Sequence, residues 1–278
     1  MTKGQFVGTT LRRFEPSPGD DLCAGVVESP LLPDTLGVLG WNICRGGGDR
    51  IDRLARAMAM AGVHVVVCSE VTAKRKDELA AALSDAGFVH QADRLDPPTP
   101  GDPFAMLVAS RWPLAVGDGA DPETSPARFV HVVAQTDLGA VDIVGIHVPT
   151  VDPAASDFFE GVCGVLGRLN TRPAILIGDV NADARYPGLV TRFLRRITDA
   201  GWVDALGPCE PATAHDSYWG TATAYALDRV WLSPPLAMHP TECVVLPSVS
   251  GVATAGPGLR IKTGALSDHR PVRVMIHR

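Results

Sequence analysis

The sequence predicts an α/β protein in which two packed β-sheets carry helices on their outer faces. Many short apolar runs rich in β-branched residues alternate with a few longer amphipathic stretches. The 278 residues are enough for one sizeable core, and neither an internal repeat nor a change of composition marks a linker. A content of 46% hydrophobic and 20% charged residues excludes a mostly disordered chain. A single doubly wound sheet is the structural alternative.

Residues 1–34 are predicted to form an irregular N-terminal extension, and residues 35–278 one folded domain. Prolines and a glycine interrupt every period in the extension, notably at Pro16, Pro18, Gly19, Pro30 and Pro33. A predicted buried strand at 36–42 then opens the domain.

The next elements follow from hydrophobic periodicity. A glycine break at 46–48 precedes a predicted helix over 49–62, because apolar residues recur there every three to four positions. The run at 64–70 is β-branched and apolar, which predicts a central strand, and a charged helix follows over 74–86. Further strands are predicted at 104–109, 129–135, 141–147, 174–178, 227–232, 243–246 and 272–276, helices at 154–170 and 189–200, and loops at 91–103, 207–219 and 248–262.

Several functional classes are disfavoured by composition. No apolar run approaches the roughly 20 residues of a membrane helix, and the first residues lack the apolar core of a signal peptide. We therefore expect a cytoplasmic protein without a membrane partner, and the sequence shows no sign of an obligate protein partner. None of the six cysteines forms a C-x-x-C pair, which argues against thiolate zinc and dithiol redox chemistry. The net charge of -6 argues against a general nucleic-acid coat but not against a nuclease.

Polar residues of a particular kind follow the apolar strands. Each has an ordinary explanation alone, such as a helix cap, an Asx-turn, a surface ion pair or a half-buried imidazole. A carboxylate beside buried strands is costly unless a cation or donors satisfy it, so several such residues call for one shared explanation. We interpret them as one site at the strand ends, made of Asn42, Glu70, His147, Asp179, Asn181, Asp228, Asp268 and His269.

The segments around these residues resemble the endonuclease/exonuclease/phosphatase superfamily. They occur in the family's order, and the most specific are Gly178-Asp179-Val180-Asn181 and Ser267-Asp268-His269. The resemblance spans residues 36–276 and implies a four-layer α/β/β/α sandwich of two mixed sheets flanked by helices.

The resemblance also implies a divalent metal, usually Mg²⁺. Glu70 would be its principal ligand, with Asn42 and Asp268 close by. All-oxygen ligands favour a hard ion, so Mg²⁺ or Mn²⁺ suits this set better than zinc. One metal is the simpler arrangement, and two remain an alternative.

The catalytic roles are likewise those that the resemblance implies. Asp179 would orient or deprotonate the attacking water, and Asn181 would hold the phosphate and Asp179. His269 would contact the scissile phosphate and be oriented by Asp228, since an Asp–His pair fixes the tautomer and favours the cation. His147 would stabilise the phosphorane or assist the leaving group.

The substrate is the least determined feature. Ser69 replaces the usual Gln before the metal-binding Glu, and Lys74 is displaced, so positive charge expected near DNA is missing. We expect Arg128 to contact phosphate, Arg45 to add charge, and Trp219 either to contact a sugar or base or simply to pack.

The resulting prediction is a Mg²⁺-dependent hydrolase of phosphodiester bonds, and specifically an exonuclease III-like DNA nuclease. The alternative is a phosphatase or phosphodiesterase that uses the same site on a small phosphorylated metabolite. A third hypothesis is an inactive binding scaffold, against which the complete set of motif residues argues.

Overall fold

The computed structural model describes residues 9–14, 34–94, 103–118, 122–150, 154–183, 191–207, 212–219, 224–256, 261 and 264–278. Its strands are β1 (Thr10–Arg13), β2 (Thr35–Asn42), β3 (Val65–Val71), β4 (His90–Asp93), β5 (Ala105–Ser110), β6 (Leu114–Val116), β7 (Phe129–Thr136), β8 (Gly139–His147), β9 (Ala174–Asp179), β10 (Val203–Asp204), β11 (Tyr218–Trp219), β12 (Ala224–Tyr225), β13 (Asp228–Leu232), β14 (Thr241–Val245), β15 (Ser248–Val249), β16 (Val252–Ala253) and β17 (Val272–His277). The α-helices are α1 (Ile51–Met60), α2 (Lys76–Asp85), α3 (Ala154–Leu169), α4 (Thr191–Asp199) and α5 (Pro234–Ala237), and 3₁₀ turns occur at Gly48–Arg50, Pro126–Arg128 and Ala212–His215.

Two large mixed sheets form the centre of the molecule. The first has the strand order β1-β4-β5-β3-β2-β17-β14, and the second has the order β10-β13-β9-β8-β7-β6. β2 runs parallel to β3, and β8 runs parallel to β9, whereas β17 is antiparallel to β2 and β13 is antiparallel to β9. The carboxyl ends of β2, β3, β8 and β9 and the amino ends of β13 and β17 therefore meet along the same edges of the two sheets.

Three apolar layers hold the sandwich together. The inner faces of the two sheets pack on each other through side chains such as Val38, Val67, Ile143 and Ile177. Helices α1 and α2 cover the outer face of the first sheet, and α3 and α4 cover that of the second. This is the predicted four-layer α/β/β/α sandwich, which the structure confirms over a single doubly wound sheet.

Glycine allows the two sheets to approach closely. A Cβ atom added to Gly40 would lie 2.7 Å from Cγ1 of Ile177, and one added to Gly145 would lie 2.6 Å from Cγ1 of Val67. Both distances are shorter than a buried core tolerates, so any larger residue would push the sheets apart. These contacts fix the separation of the sheets just below the edge where the polar strand ends gather.

The predicted strands and helices that fall on described residues are present, with ends shifted by up to two residues. The prediction of an irregular extension is wrong for Thr10–Arg13, because these residues form β1 and pair with β4 at the edge of the first sheet. Both strands are largely polar, so neither carries the apolar run that indicates a strand. Residues 1–8 and 15–33 lie outside the described residues. Among the described residues, no helix is both long and apolar enough to cross a membrane.

Candidate active site

Three of the predicted residues lie side by side across the second sheet. The parallel register of β8 and β9 places His147 opposite Asp179, and the antiparallel register of β9 and β13 places Asp228 opposite Asp179 on the other side. All three residues are buried. Backbone pairing therefore fixes the spacing of one imidazole and two carboxylates before any side-chain contact is considered.

Asp179 is the centre of the site. One carboxylate oxygen accepts a hydrogen bond from the side-chain NH₂ of Asn42 at 3.0 Å, and the other accepts one from the backbone N–H of Asn181 at 2.9 Å. Nε2 of His147 and Nε2 of His269 lie 3.9 and 3.8 Å from the same oxygen, Oδ2. Burial raises the pKa of Asp179 above its ordinary value, although His269 opposes the effect. Asp179 is therefore a carboxylate surrounded by hydrogen-bond donors, and its raised pKa makes it a stronger base than an exposed carboxylate.

His269 is held as a cation by the carboxylates around it. Its Nδ1 lies 2.8 Å from Oδ2 of Asp228, and the backbone N–H of Asp228 donates to Oγ of Ser217 at 3.0 Å. Burial alone would lower the pKa of His269, but Asp228 and Asp179 outweigh it and raise the pKa to about 10. His269 is therefore protonated at neutral pH, with Nδ1–H directed at Asp228 and Nε2–H facing Asp179.

His147 is in the opposite state. Burial, assisted by Arg128, lowers the pKa of His147 to about 4, although Asp179 opposes the shift. Nη1 of Arg128 lies 3.2 Å from Nδ1 of His147, and the guanidinium carbon lies 5.6 Å from the ring centre of Phe104. The same Nη1 lies 3.4 Å from Nε2 of His147, and because an arginine can only donate, the acceptor is the unprotonated ring nitrogen of the neutral imidazole. One neutral and one charged imidazole thus flank Asp179.

Glu70 reaches the site because β3 is irregular where it ends. The register with β5 shifts between Cys68 and Val71, and Glu70 has a left-handed φ of 59°. A bulge with positive φ turns the side chain away from the direction that a regular strand would give it. The carboxylate accepts from the Asn42 NH₂ at 3.1 Å and from the backbone N–H of Arg45 at 2.8 Å.

The side chain of Asn42 links the carboxylates of Glu70 and Asp179. Its NH₂ group donates to both Glu70 and Asp179, and its Oδ1 accepts from the backbone N–H of Cys44 at 3.0 Å. A hard ion would bind the side-chain oxygen of Asn42, which accepts from the Cys44 backbone here, so the predicted ligand role stays a prediction. In this geometry Asn42 supports the carboxylates on either side of it.

Asp268 lies on the facing segment. Oγ of Ser267 donates to the backbone carbonyl of Asn42 at 2.6 Å, which binds the segment before β17 to the end of β2, and it lies 3.3 Å from Oδ1 of Asp268. The Cys44 thiol is hydrogen bonded to Asp268. Burial first, then Asp268 and Glu70, raise the pKa of this thiol to about 12, so it stays protonated. The Cys44 thiol therefore lies close enough to both Asp268 and Glu70 to interact with their charges.

The donor set fits a magnesium-type ion. Glu70 and Asp268 are partly exposed, and no group of three or more His, Cys, Asp and Glu side chains within the described part of the chain is arranged to hold a metal. Mg²⁺ is bound through only one or two carboxylates and keeps several waters, whereas a structural zinc site needs a closed cage of ligands. A hard ion held by Glu70 and Asp268 is compatible with these residues, and a zinc cage is not.

Three further residues were predicted to belong to the site, namely Asn181, Arg45 and Trp219, and each lies in a different environment. Asn181 has a left-handed φ of 47° and donates from its side chain to the carbonyl of Val148, so it anchors the end of β8 to the loop after β9. The side chain of Arg45 is exposed at the rim. The backbone of Trp219 belongs to β11, and its side chain lies outside what is described.

Sequence reasoning missed Tyr218. Its ring centre lies 4.8 Å from that of His269, and a β-bridge joins the two residues. Tyr218 is therefore the aromatic residue that the structure places against His269. The pair of aromatic residues was a usable signal, but the register that selects Tyr218 is not visible in the sequence.

Comparison with known proteins bears on the family and the fold. The model of the "Endonuclease/Exonuclease/phosphatase family" matches residues 39–269. Similar solved structures include an AP endonuclease from Archaeoglobus fulgidus (TM-score 0.65, 16% identity, covering 86% of this chain and 98% of that one). They also include the 3'-5' exonuclease NExo from Neisseria meningitidis (TM-score 0.67, 17% identity, covering 87% of this chain and 100% of that one). A third is sphingomyelinase C from Streptomyces griseocarneus (TM-score 0.61, 21% identity, covering 88% of this chain and 99% of that one). No curated protein sequence matches the chain. At these identities the structural likeness shows the fold.

Proposed function

Given that this chain belongs to the endonuclease/exonuclease/phosphatase family, we propose that it hydrolyses phosphodiester bonds with the help of a divalent metal ion and that its substrate is DNA. The observation that carries the proposal is the pair of imidazoles around Asp179. One is held neutral and the other cationic, and each has an Nε2 less than 4 Å from the same carboxylate oxygen.

This arrangement suits the attack of water on a phosphodiester. Asp179 is buried, and its raised pKa makes it a better proton acceptor than an exposed carboxylate, so it would orient the water and take its proton. His269, as a cation, would hold a non-bridging oxygen of the phosphoryl group and stabilise the charge that develops there. The hydrogen bond to Asp228 keeps its ring in place.

His147 and Arg128 would contact the other side of the phosphate. The neutral imidazole can donate one hydrogen bond, and the guanidinium next to it supplies a fixed positive charge. Glu70 and Asp268 would hold the Mg²⁺ ion, for which Mn²⁺ would substitute. When bound, such an ion neutralises charge on the phosphoryl group.

DNA as the substrate is supported by two observations. Two of the similar structures are named as an AP endonuclease and a 3'-5' exonuclease. The backbone N–H of Arg45 donates to the Glu70 carboxylate, and the exposed side chain of Arg45 would be available to a polymer backbone that passes the site. A nuclease needs such charge outside the reaction centre, since phosphate contacts supply most of its affinity.

A small phosphorylated molecule is the second candidate. The net charge of the chain is -6, and the guanidinium of Arg50 near Asp268 is directed at three backbone carbonyls. Less positive charge is then available to a polyanion, which favours a small substrate.

An activity panel separates the two candidates. Purified protein with Mg²⁺ or Mn²⁺ is given supercoiled plasmid, abasic duplex, bis-p-nitrophenyl phosphate and p-nitrophenyl phosphate. We expect cleavage of both diester classes, and at subsaturating DNA a loss of about 10-fold between about 50 and 200 mM salt if two phosphates are contacted.

The Asp179→Asn variant serves as the inactive control, and Asp118→Asn, which removes an exposed carboxylate paired with Arg172, serves as the matched active control. Hydrolysis of p-nitrophenyl phosphate alone, with little dependence on salt, would replace DNA by a small phosphomonoester. Absence of metal-dependent hydrolysis on every substrate would refute the proposed reaction.

A further inference from the structure

The turn between β2 and α1 has an unusual backbone. Five consecutive residues, Cys44 to Gly48, all have positive φ, between 53° and 76°, and two of them are not glycine. Such conformations persist in non-glycine residues only where the surroundings enforce them. Contacts with neighbouring segments of the chain must therefore stabilise this conformation of the turn.

The turn directs backbone donors at the candidate metal site. The N–H of Cys44 donates to Oδ1 of Asn42, and the N–H of Arg45 donates to Oε2 of Glu70 at 2.8 Å. The N–H of Gly46 donates to the backbone carbonyl of Glu70 at 2.7 Å. Consecutive N–H groups in this type of conformation form a concave donor surface, and here that surface fixes Glu70.

Arg50 binds the other side of the same turn. Its Nη2 donates to the carbonyls of Ile43 and Cys44 at 3.3 and 3.0 Å, and its Nη1 donates to the carbonyl of Leu266. Leu266 lies two residues before Asp268, and the carboxylate of Asp268 interacts electrostatically with the guanidinium. Arg50 is thus the side chain that joins the turn holding Glu70 to the segment carrying Asp268.

We propose that Arg50 is a positioning residue that holds Glu70 and Asp268 at the separation a divalent metal needs. The inference rests on the proposed function, because it assigns Arg50 to the metal site of that reaction. It adds a residue that touches neither metal nor substrate. The planar guanidinium reaches carbonyls on two segments at once, which a lysine ammonium on a single stem does less well.

The test uses Mn²⁺ alone as the metal and needs no substrate. Binding of Mn²⁺ is measured by electron paramagnetic resonance for the wild-type protein, Arg50→Gln, Arg50→Lys and the control Arg53→Gln. Arg53 donates to the carbonyl of Gly264 from the surface and makes no bond to the β2–α1 turn. We expect Arg50→Gln to weaken Mn²⁺ binding by about 10-fold, as removal of groups that orient metal ligands does. Arg50→Lys should recover part of this affinity, and Arg53→Gln should bind normally.

A second measurement is independent of metal. Hydrogen exchange of the Arg45 amide, followed by NMR without metal, reports the bond to Glu70 directly. We expect faster exchange in Arg50→Gln and Arg50→Lys, with unchanged exchange in Arg53→Gln. If Arg50→Gln does not fold, Mn²⁺ binding and hydrogen exchange are both measured on Arg50→Lys.

The outcomes distinguish this inference from the proposed function. Normal Mn²⁺ affinity and normal protection of the Arg45 amide in folded Arg50 variants would overturn the positioning role while leaving the reaction intact. Failure of the wild-type protein to bind Mn²⁺ would overturn the proposed metal site, and the positioning role with it.

Discussion

Replacing Asp228 by asparagine tests the charge state on which the proposed reaction depends. The substitution keeps the shape of the side chain but removes the carboxylate that lies 2.8 Å from Nδ1 of His269. Asp228 is the first of the groups that raise the pKa of His269 against the effect of burial. Its loss should therefore shift that pKa down towards the ordinary value.

The expected size follows from the geometry. An adjacent opposite charge changes a pKa by about 1 to 3 units, or roughly 1.4 to 4 kcal/mol. Starting from a pKa of about 10, His269 in Asp228→Asn should titrate at roughly pH 7 to 9. The imidazole of His269 in the variant would then lose its proton at pH values where the same imidazole stays protonated in the wild-type protein.

The same shift has a definite sign for stability. The folded-state pKa of His269 lies above its ordinary value of 6.5, so its contribution is fully present below about pH 6.5 and is lost as the pH rises through about 10. Asp228→Asn should lose most of this contribution and be less stable than the wild-type protein at pH 7. Urea unfolding at pH 5, 7 and 9 measures the difference.

The direct assay is a pH titration of the His269 imidazole by nitrogen-edited NMR, in parallel with the pH dependence of diester hydrolysis. We expect the alkaline limit of activity to move to lower pH together with the NMR midpoint. Asp118→Asn, whose carboxylate is exposed and pairs with Arg172, should change neither. An unaltered His269 titration in Asp228→Asn would refute the assignment of its charge to Asp228.

Three further predictions concern the rest of the site. Asp179→Asn should lower diester hydrolysis by about 100-fold or more, because it removes the proton acceptor, with an unchanged circular dichroism spectrum; near-normal turnover would contradict the assignment. Glu70→Gln should raise the Mg²⁺ concentration needed for half-maximal activity, and an unchanged metal titration would exclude its ligand role. Gly46→Ala should destabilise the fold by about 1 to 3 kcal/mol in urea unfolding, because its φ is 75° and a Cβ would lie 2.5 Å from Oγ1 of Thr72. Gly48→Ala, where a Cβ meets nothing within 4 Å, is the matched control, and an equal loss in both variants would remove the steric explanation.

The layered core could be predicted because its signal is local. Runs such as Val65–Val71 are apolar on both sides, and helix α1 shows a clear buried stripe, so each element reveals its type without its neighbours. The strand β4 did not follow this rule. Its Gln91 is buried, and the side-chain NH₂ donates to the carbonyls of Ala80 and Phe88, which are contacts that the sequence does not show.

The candidate site was predictable in membership but not in arrangement. Residue type and position at strand ends identified Asp179, Asp228 and His269 as one group, and the registers bring them together. The orientation of Asn42 depends on the N–H of Cys44, and the direction of Glu70 depends on a bulge with left-handed backbone. Such features arise from which segments meet, so no pattern along the chain encodes them.

The amino-acid order alone determined the α/β class, the central strands and the set of acids and imidazoles, because hydrophobic period and residue chemistry are properties of short stretches of chain. Only the folded structure decided that His147 is neutral while His269 is charged, that Tyr218 lies against His269, and that Arg50 binds both the β2–α1 turn and the segment before Asp268. Burial and electrostatic interactions act between residues that are distant in sequence, and they acquire values only when the sheets are packed.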